Sequence, residues 1–534
     1  MTTTTHPTSS AIALATPRTA ALDDESRPPT DTRRWATLAT LCLRVIVVVA
    51  DNTIINVALP TLSRDLNAST RELQWLVDSY LLLFAGFLLP AGSLGDRFGR
   101  KRAFLFGLTV LGLASGAAFA ANSLPLLIAE RTLMGVGAAF VFPATLSLLT
   151  STFPDARERK IAVAIWSGMV GIGVILGPLV GGLLLEHFSW GSVFLINVPI
   201  VVVAIVLARR FVDESRDEHT RTWDPVGALL CFGSILSLVF AIVEAPVHGW
   251  TSPQTAITTL VAIVTGTLFV KWERSHESPI VPLHMFTDRC FTEPVIGLAL
   301  ASFALFGFVL VATQYFQLVG GLGTFAAGAR YLPFAVVLIV CAATSPKAVN
   351  KFGVHRVICA GMCLLASGLG VTTLLQVDTP FWPVTITAVA LLGAGMGFVT
   401  APATELLMSM VPADRAGVGS GVNDAARQIG GALGVAVMGS VFSSSYTHAI
   451  GSFLRSSDSL SPDTKQTVLA SPGMAVRAAH ALAESGQVVI GEALLTDVRA
   501  SFVDAMHSAA LVALLGALLG SALAVVALRP KAMR

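Results

Sequence analysis

Fourteen long apolar runs leave this chain few ways to fold: near 36–59, 73–94, 103–122, 124–149, 161–185, 190–208, 225–245, 253–272, 292–318, 327–346, 355–376, 381–408, 417–443 and 503–528. A helix of roughly 20 residues crosses about 30 Å of hydrocarbon and satisfies its backbone polar groups within itself, as any segment in lipid must. About a quarter of the residues of a soluble globule are charged. Here the charged share is 13%, the hydrophobic share 54% and the mean hydropathy +0.73. The expected fold class is all-α and integral to a membrane, with the lipid bilayer as its first partner.

The connectors give an orientation, because basic residues collect on the cytoplasmic side of short loops. Arg97, Arg100, Lys101 and Arg102 follow the second run, Arg157, Arg159 and Lys160 the fourth, Arg209 and Arg210 the sixth, and Lys271 and Arg274 the eighth; Lys347, Lys351 and Arg356 flank the next such turn. Both termini are then cytoplasmic and the protein is multi-pass in the cytoplasmic (inner) membrane. The opposite connectors are short, except for a Ser-rich stretch, 446–502, placed outside as a folded or half-folded loop. Residues 1–35 are Thr-, Ser- and Pro-rich and are expected to be a disordered cytoplasmic tail. The net charge of +2 hides basic residues confined to connectors, so nucleic acid is not an expected partner. The six cysteines lack metal-ligand spacing and read as small packing residues.

The chain repeats itself. In "DRFGRKRAFLFG" and "NKFGVHRVICAG", Phe98, Gly99, Arg102 and Gly107 align without a gap on Phe352, Gly353, Arg356 and Gly361. "FPATLSLL" (142–149) resembles "APATELLM" (401–408), and the turns "FPDAR" and "VPADR" follow each. Two related halves, 36–210 and 291–534, therefore flank an unmatched pair of spans in 211–290. Paired halves around a midplane cavity are the architecture of rocking transporters.

Several motifs carry a family likeness over residues 36–445. The loop "GSLGDRFGRKR" (92–102), the segment "RTLMGVGAA" (131–139), the run "GVILGPLVGG" (173–182), the first-span stretch "VVVADNTIINVALP" (47–60) and, more loosely, "RQIGGALGVAVMGS" (427–440) resemble those of the major facilitator superfamily, in particular its fourteen-span drug:proton antiporter group. The resemblance implies two pseudo-symmetric six-helix bundles plus two extra central helices. It implies a proton-coupled secondary antiporter that exports amphipathic, cationic drugs or antibiotics by alternating access, with protons and small-molecule drugs as partners, no cofactor, and a monomer as the working unit. The antiporter run, carrying Gly173, Gly177, Pro178, Gly181 and Gly182, favours export over import. A dedicated single-metabolite transporter of the same fold, or a membrane sensor, are the alternatives. An enzyme would need a nucleophile and base or a metal cluster at one depth, and no catalytic or metal-binding motif is found.

By the same resemblance, Gly92, Asp96, Arg97, Gly99 and Arg100 form a gating loop, Asp96 pairing with a helix N-terminus or a neighbouring Arg and Arg97 and Arg100 completing the charge cluster. Charges within spans are costly and mark function by default. Asp51, Asp78 and Arg131 lie about 8–13 Å deep in the outer half of one bundle, counted at 1.5 Å per residue. With Asp424 of the other half they are the expected proton-coupling groups. Asp424 either serves substrate or proton or forms a structural pair with Arg427, and Glu130 stands behind Arg131 as its support. Glu244 and Glu405, near span ends, are expected to be solvated. Arg44 departs from the group's apolar pattern and is expected to snorkel to the cytoplasmic surface; the alternative puts it two turns before Asp51 on the same face, weakening coupling. Asn52, Asn56, Trp75, Gln314, Tyr315, Asn423 and Gln428, with Trp166 and Phe316, are the expected cavity wall.

Overall fold

The computed structural model describes residues 31–66, 70–216, 224–276, 279–281, 283–457 and 460–527; residues 1–30 of the expected tail lie outside them, whereas 31–35 open the first helix. Among the described residues regular structure is entirely helical, and fourteen helices are long and apolar enough to span a membrane. The first half holds α1 (Asp31–Asp65), α2 (Thr70–Phe98), α3 (Arg100–Phe119), α4 (Leu124–Thr152), α5 (Ala156–His187), the single turn α6 (Ser192–Leu195) and α7 (Asn197–Phe211). The linker pair is α8 (Pro225–His248) and α9 (Pro253–Ser275). The second half holds α10 (Arg289–Gln314), α11 (Thr324–Ala329), α12 (Leu332–Phe352), α13 (Val354–Thr372), α14 (Ile386–Met410), α15 (Ala416–Ser456), α16 (Pro462–Ala470), α17 (Pro472–Glu484) and α18 (Val488–Ala527).

Local chemistry sets the corners. Asp155 begins α5 by accepting the backbone N–H groups of Glu158 and Arg157, each at 2.9 Å, and these bonds hold its exposed carboxyl below the ordinary value. Between α2 and α3 the chain turns at Gly99 with φ 114°, and between α12 and α13 at Gly353 with φ 86°. A side chain rarely adopts that backbone, so glycine recurs at both corners of the repeat.

The repeat extends into packing. A Cβ on Gly107 would lie 2.6 Å from the carbonyl oxygen of Gly137, and one on Gly361 would lie 3.0 Å from that of Gly395. Thus α3 packs on α4 as α13 packs on α14, at near-backbone contact that only a missing side chain permits. The halves meet through α2 against α15 and α5 against α12 and α14. Of the linker pair, α8 stands against α2 and α15, and α9 packs on α8. Most of α9 is uncovered by protein, and Ile257, Leu260 and Ile263 are exposed, as apolar residues facing hydrocarbon would be.

The stretch 446–502, expected as a folded or half-folded loop, is helical over most of its described residues. Here α15 and α18, with 41 and 40 residues, run about 60 Å each, twice the hydrocarbon thickness, and α16 and α17 fill the gap between them. Tyr446, Ile450 and Leu454 on α15 and Leu494, Val498 and Phe502 on α18 are buried with Val468, Ala475 and Ala479. Their spacing of four is a helical stripe.

Candidate functional site

On α1 a single stripe, Leu41, Arg44, Val48, Asp51 and Ile55, faces the interior of the first half. It brings Asp51 to Arg131 of α4, whose Nη1 donates to Oδ2 at 2.8 Å with both side chains fully buried. Asn197, at the start of α7, donates from Nδ2 to the other oxygen, Oδ1, at 2.6 Å, and lies 3.3 Å from Ser115 Oγ of α3. Beneath the Arg131 guanidinium is the Tyr80 ring, its centroid 4.4 Å away. Three helices are tied through one carboxylate, and Asn197 extends the tie to α3. The same stripe buries Arg44 completely, and none of its three guanidinium nitrogens has a hydrogen-bond partner among the described residues. Two guanidinium groups thus share one carboxylate in this interior.

Between the halves is a cavity of about 240 Å³. From the first half Thr53 and Val57 of α1 and Ser167, Val174 and Pro178 of α5 line it. The second half contributes Phe306 and Thr313 of α10, Gln317 just beyond it, Tyr331 and Phe334 at the start of α12, Thr400 of α14 and Arg427 of α15. The wall on the first-half side is held by the glycine stripe of α5: a Cβ on Gly173 would meet Val49 at 2.7 Å, one on Gly177 would meet Thr53 Oγ1 at 2.0 Å, and one on Gly181 would meet Ile54 at 2.5 Å. Gly182 points elsewhere and has ordinary space, its nearest neighbour, Phe325, being 3.9 Å away.

At the end of the bundle that carries the basic connectors, the two halves are locked. Asp96 at the end of α2 accepts the backbone N–H groups of Gly417 (2.8 Å) and Val418 (3.0 Å), the exposed donors of the first turn of α15. Arg100 donates from Nε to Asp96 at 2.8 Å and from Nη2 to the Ala413 carbonyl at 2.6 Å. The helices touch backbone to backbone, since a Cβ on Gly92 would lie 2.3 Å from the carbonyl oxygen of Gly417. A second tie joins Arg159 of α5 to Glu405 of α14 at 3.3 Å.

The sequence matches the Major Facilitator Superfamily over residues 41–435. The multidrug efflux pump LfrA of Mycolicibacterium smegmatis is 36% identical over 78% of this chain and 82% of its own length. The chain belongs to the Major Facilitator Superfamily. The methyl viologen resistance protein SmvA of Salmonella typhimurium is 34% identical over 90% of this chain and 95% of its own. Among solved structures, a bacterial homolog of the human lysosomal transporter Spinster shares the fold, with a TM-score of 0.57 at 18% identity, covering 93% of this chain and 98% of that one.

Within this superfamily fold several expected site residues take other places. Asp78 is buried on α2 but is not part of the Asp51 cluster; it interacts electrostatically with Glu244 of α8, on the side where Trp75 packs on Phe240 with ring centroids 6.0 Å apart. Trp75 therefore serves the α2–α8 contact and does not line the cavity. Asn52, Gln314, Asn423 and Gln428 do not line it either: their neighbours Thr53, Gln317 and Arg427 do, because the helix faces are turned by one to three residues from those expected. Asn423 is buried, accepting from Thr404 Oγ1 at 2.9 Å and donating to Asp424 Oδ1 at 3.0 Å. Tyr315 and Phe316 flank a smaller neighbouring void, and Tyr315 donates to the Gln376 carbonyl. Trp166 is buried and donates to Thr145. The side chain of Asn56 lies outside the described ones.

Arg44 does not snorkel, since its stripe faces the core. Arg97 is exposed over the Phe98 ring, and Arg100 alone of the two completes the Asp96 cluster. Glu244 and Glu405 are buried and paired, with His248 (3.0 Å) and Arg159, where solvation was expected. Asp424 and Arg427 interact electrostatically without coming within the 4 Å of an ion pair; Glu130 is half-buried. Sequence reasoning missed Asn197, whose only signal is an amide inside an apolar run, and Glu214, which accepts the N–H groups of Lys101 (2.9 Å) and Arg102 (3.2 Å) at the start of α3.

Proposed function

We propose that this superfamily member is a proton-coupled antiporter that exports amphipathic drugs or antibiotics by alternating access, a monomer with its basic end and both termini in the cytoplasm. The observation that carries the proton reading is the Asp51–Arg131 pair, fully buried, with Asp51 two residues from the cavity-lining Thr53 on α1 and the Asp96 latch tying the halves at the basic end. The orientation rests on the positive-inside rule. The cargo class rests on the relatives, which are named for multidrug efflux and methyl viologen resistance, and on an apolar cavity with few polar groups, the general form of a small-molecule site.

The geometry supplies a route for coupling. A proton and the Arg131 guanidinium compete for the same oxygen, Oδ2 of Asp51, while Asn197 can keep its hold on Oδ1. Protonation leaves Arg44 and Arg131 buried together without an anion, an arrangement that a low-dielectric interior resists. Relief comes from admitting water, that is, from opening the half. Motion of α1 passes to α5 through the glycine stripe and from α5 to α12 across the cavity. The latch then breaks on the basic side, cargo enters, and re-forming the Asp51–Arg131 pair drives the proton off. The test is expression in a host stripped of its own pumps, with accumulation of aromatic dyes and antibiotics of both charges measured with and without an uncoupler. Uncoupler-sensitive efflux is expected; accumulation equal to that of the empty host contradicts the proposal.

A further inference from the structure

We propose that Arg427 makes the cavity selective for aromatic compounds bearing an anionic or strongly polarised oxygen, a carboxylate, phenolate or enolate, over cationic compounds of the same shape. This rests on the reading of the cavity as the cargo site and names the class of cargo. Arg427 is the one charged residue among those that line the cavity; it is 8% exposed and has no ion pair within 4 Å among the described residues, its electrostatic partner being Asp424, three residues before it on α15. A guanidinium presents five donors and no acceptor and does not lose its charge. With Val174, Phe306 and Phe334 among the residues lining the same cavity, it faces a space where screening is weak.

The remaining polar wall fits the same ligand. Thr53, Thr313 and Thr400 spend their hydroxyl protons on their own helices, donating to the Ala50, Val309 and Met396 carbonyls at 3.1, 2.8 and 2.8 Å. With its proton so committed, Thr313 Oγ1 accepts from the Tyr331 hydroxyl at 3.2 Å, and the Thr53 and Thr400 oxygens are left as acceptors for hydroxyl or amide groups on the cargo. The buried carboxylates that could hold a cation are committed or set back: Asp51 is bound by Arg131 and Asn197, Glu405 by Arg159, and Asp424, held at Oδ1 by Asn423 and facing the Arg427 charge, is not part of the wall. The wall itself therefore presents a positive charge at Arg427 and no carboxylate, the Asp424 charge standing behind Arg427 outside the lining. Cationic cargo, the expectation from resemblance, meets the wrong charge here.

The experiment uses two xanthene dyes of similar ring system and opposite charge, fluorescein and rhodamine 6G, at pH 7.5. Binding to the purified full chain is measured by fluorescence polarisation for the parent, Arg427→Lys and Arg427→Gln. The expected result is tighter binding of fluorescein than rhodamine 6G, a loss of roughly 10- to 100-fold for fluorescein in Arg427→Gln, retention within several-fold in Arg427→Lys, and no loss for rhodamine 6G. Retention in Arg427→Lys shows that the fold survives substitution at this position. Preference of the parent for rhodamine 6G, or fluorescein affinity unchanged in Arg427→Gln, overturns the inference. Efflux of both dyes from cells is followed in parallel: rhodamine 6G leaving by uncoupler-sensitive efflux while fluorescein stays sinks the charge preference and leaves the exporter reading standing, whereas fluorescein binding without efflux of either dye sinks the exporter reading alone.

Discussion

Replacing Asp96 with Asn tests the latch. The carboxylate accepts three hydrogen bonds, from the N–H groups of Gly417 and Val418 and from Arg100, at 2.8–3.0 Å, and is 5% exposed. Each bond to a charged group contributes about 1.5–3 kcal/mol, and charge at a helix N-terminus about another 0.3–1 kcal/mol. Asn keeps the shape but has one acceptor oxygen in place of two, and its NH₂ faces donors. Arg100 retains its hold on Ala413, so not all of the tie is lost. The expected shift against the closed basic end is therefore about 2–4 kcal/mol, roughly 30- to 1,000-fold in the closed-to-open ratio. Spin labels at exposed Arg102 on α3 and Ser409 on α14, in a background with the native cysteines replaced, report the separation of the halves at that end. A longer, broader distance distribution in Asp96→Asn is expected. A distribution identical to the parent's refutes the idea that this carboxylate holds the end shut.

Three further outcomes follow from packing and charge. In Gly177→Val the added carbons collide with Thr53 and the Ala50 carbonyl of α1, so thermal unfolding should show a loss of about 1–3 kcal/mol. Arg44→Met removes a buried guanidinium that makes no hydrogen bond among the described residues and fills the same space; the melting temperature should rise or hold, whereas a drop would mean that its attraction to Asp51 outweighs its burial. A double-mutant cycle on Arg159 and Glu405, read by the same spin-label distances, should give a coupling of about 0.5–1 kcal/mol, because both side chains are partly screened.

What was legible followed from rules that act along the chain. Span number, the paired halves and the corner glycines Gly99 and Gly353 follow from length, repetition and backbone freedom, which need no partner helix. The Asp51 cluster was half legible: depth pointed to Asp51 and Arg131, but Asn197 and the separate place of Asp78 depend on which faces turn together. The wall of the cavity was the weakest part, because an error of one to three residues in helix rotation exchanges Asn52 for Thr53, Gln314 for Gln317 and Gln428 for Arg427. Arg44 misled because snorkelling was judged from distance to the membrane surface, while its stripe with Leu41 and Val48 fixed its direction. In 446–502 a polar, Ser-rich composition masked the stripe that begins with Tyr446, Ile450 and Leu454.

The direct measurement is proton movement in inverted vesicles energised to an acidic interior, with a cargo dye identified by the accumulation assay added from outside. The parent should lose part of its pH gradient when the dye is added, and Asp51→Asn, which cannot exchange Arg131 for a proton, should show no dye-dependent loss. A dye-dependent proton leak of parental size in Asp51→Asn would place the coupling elsewhere and contradict the account.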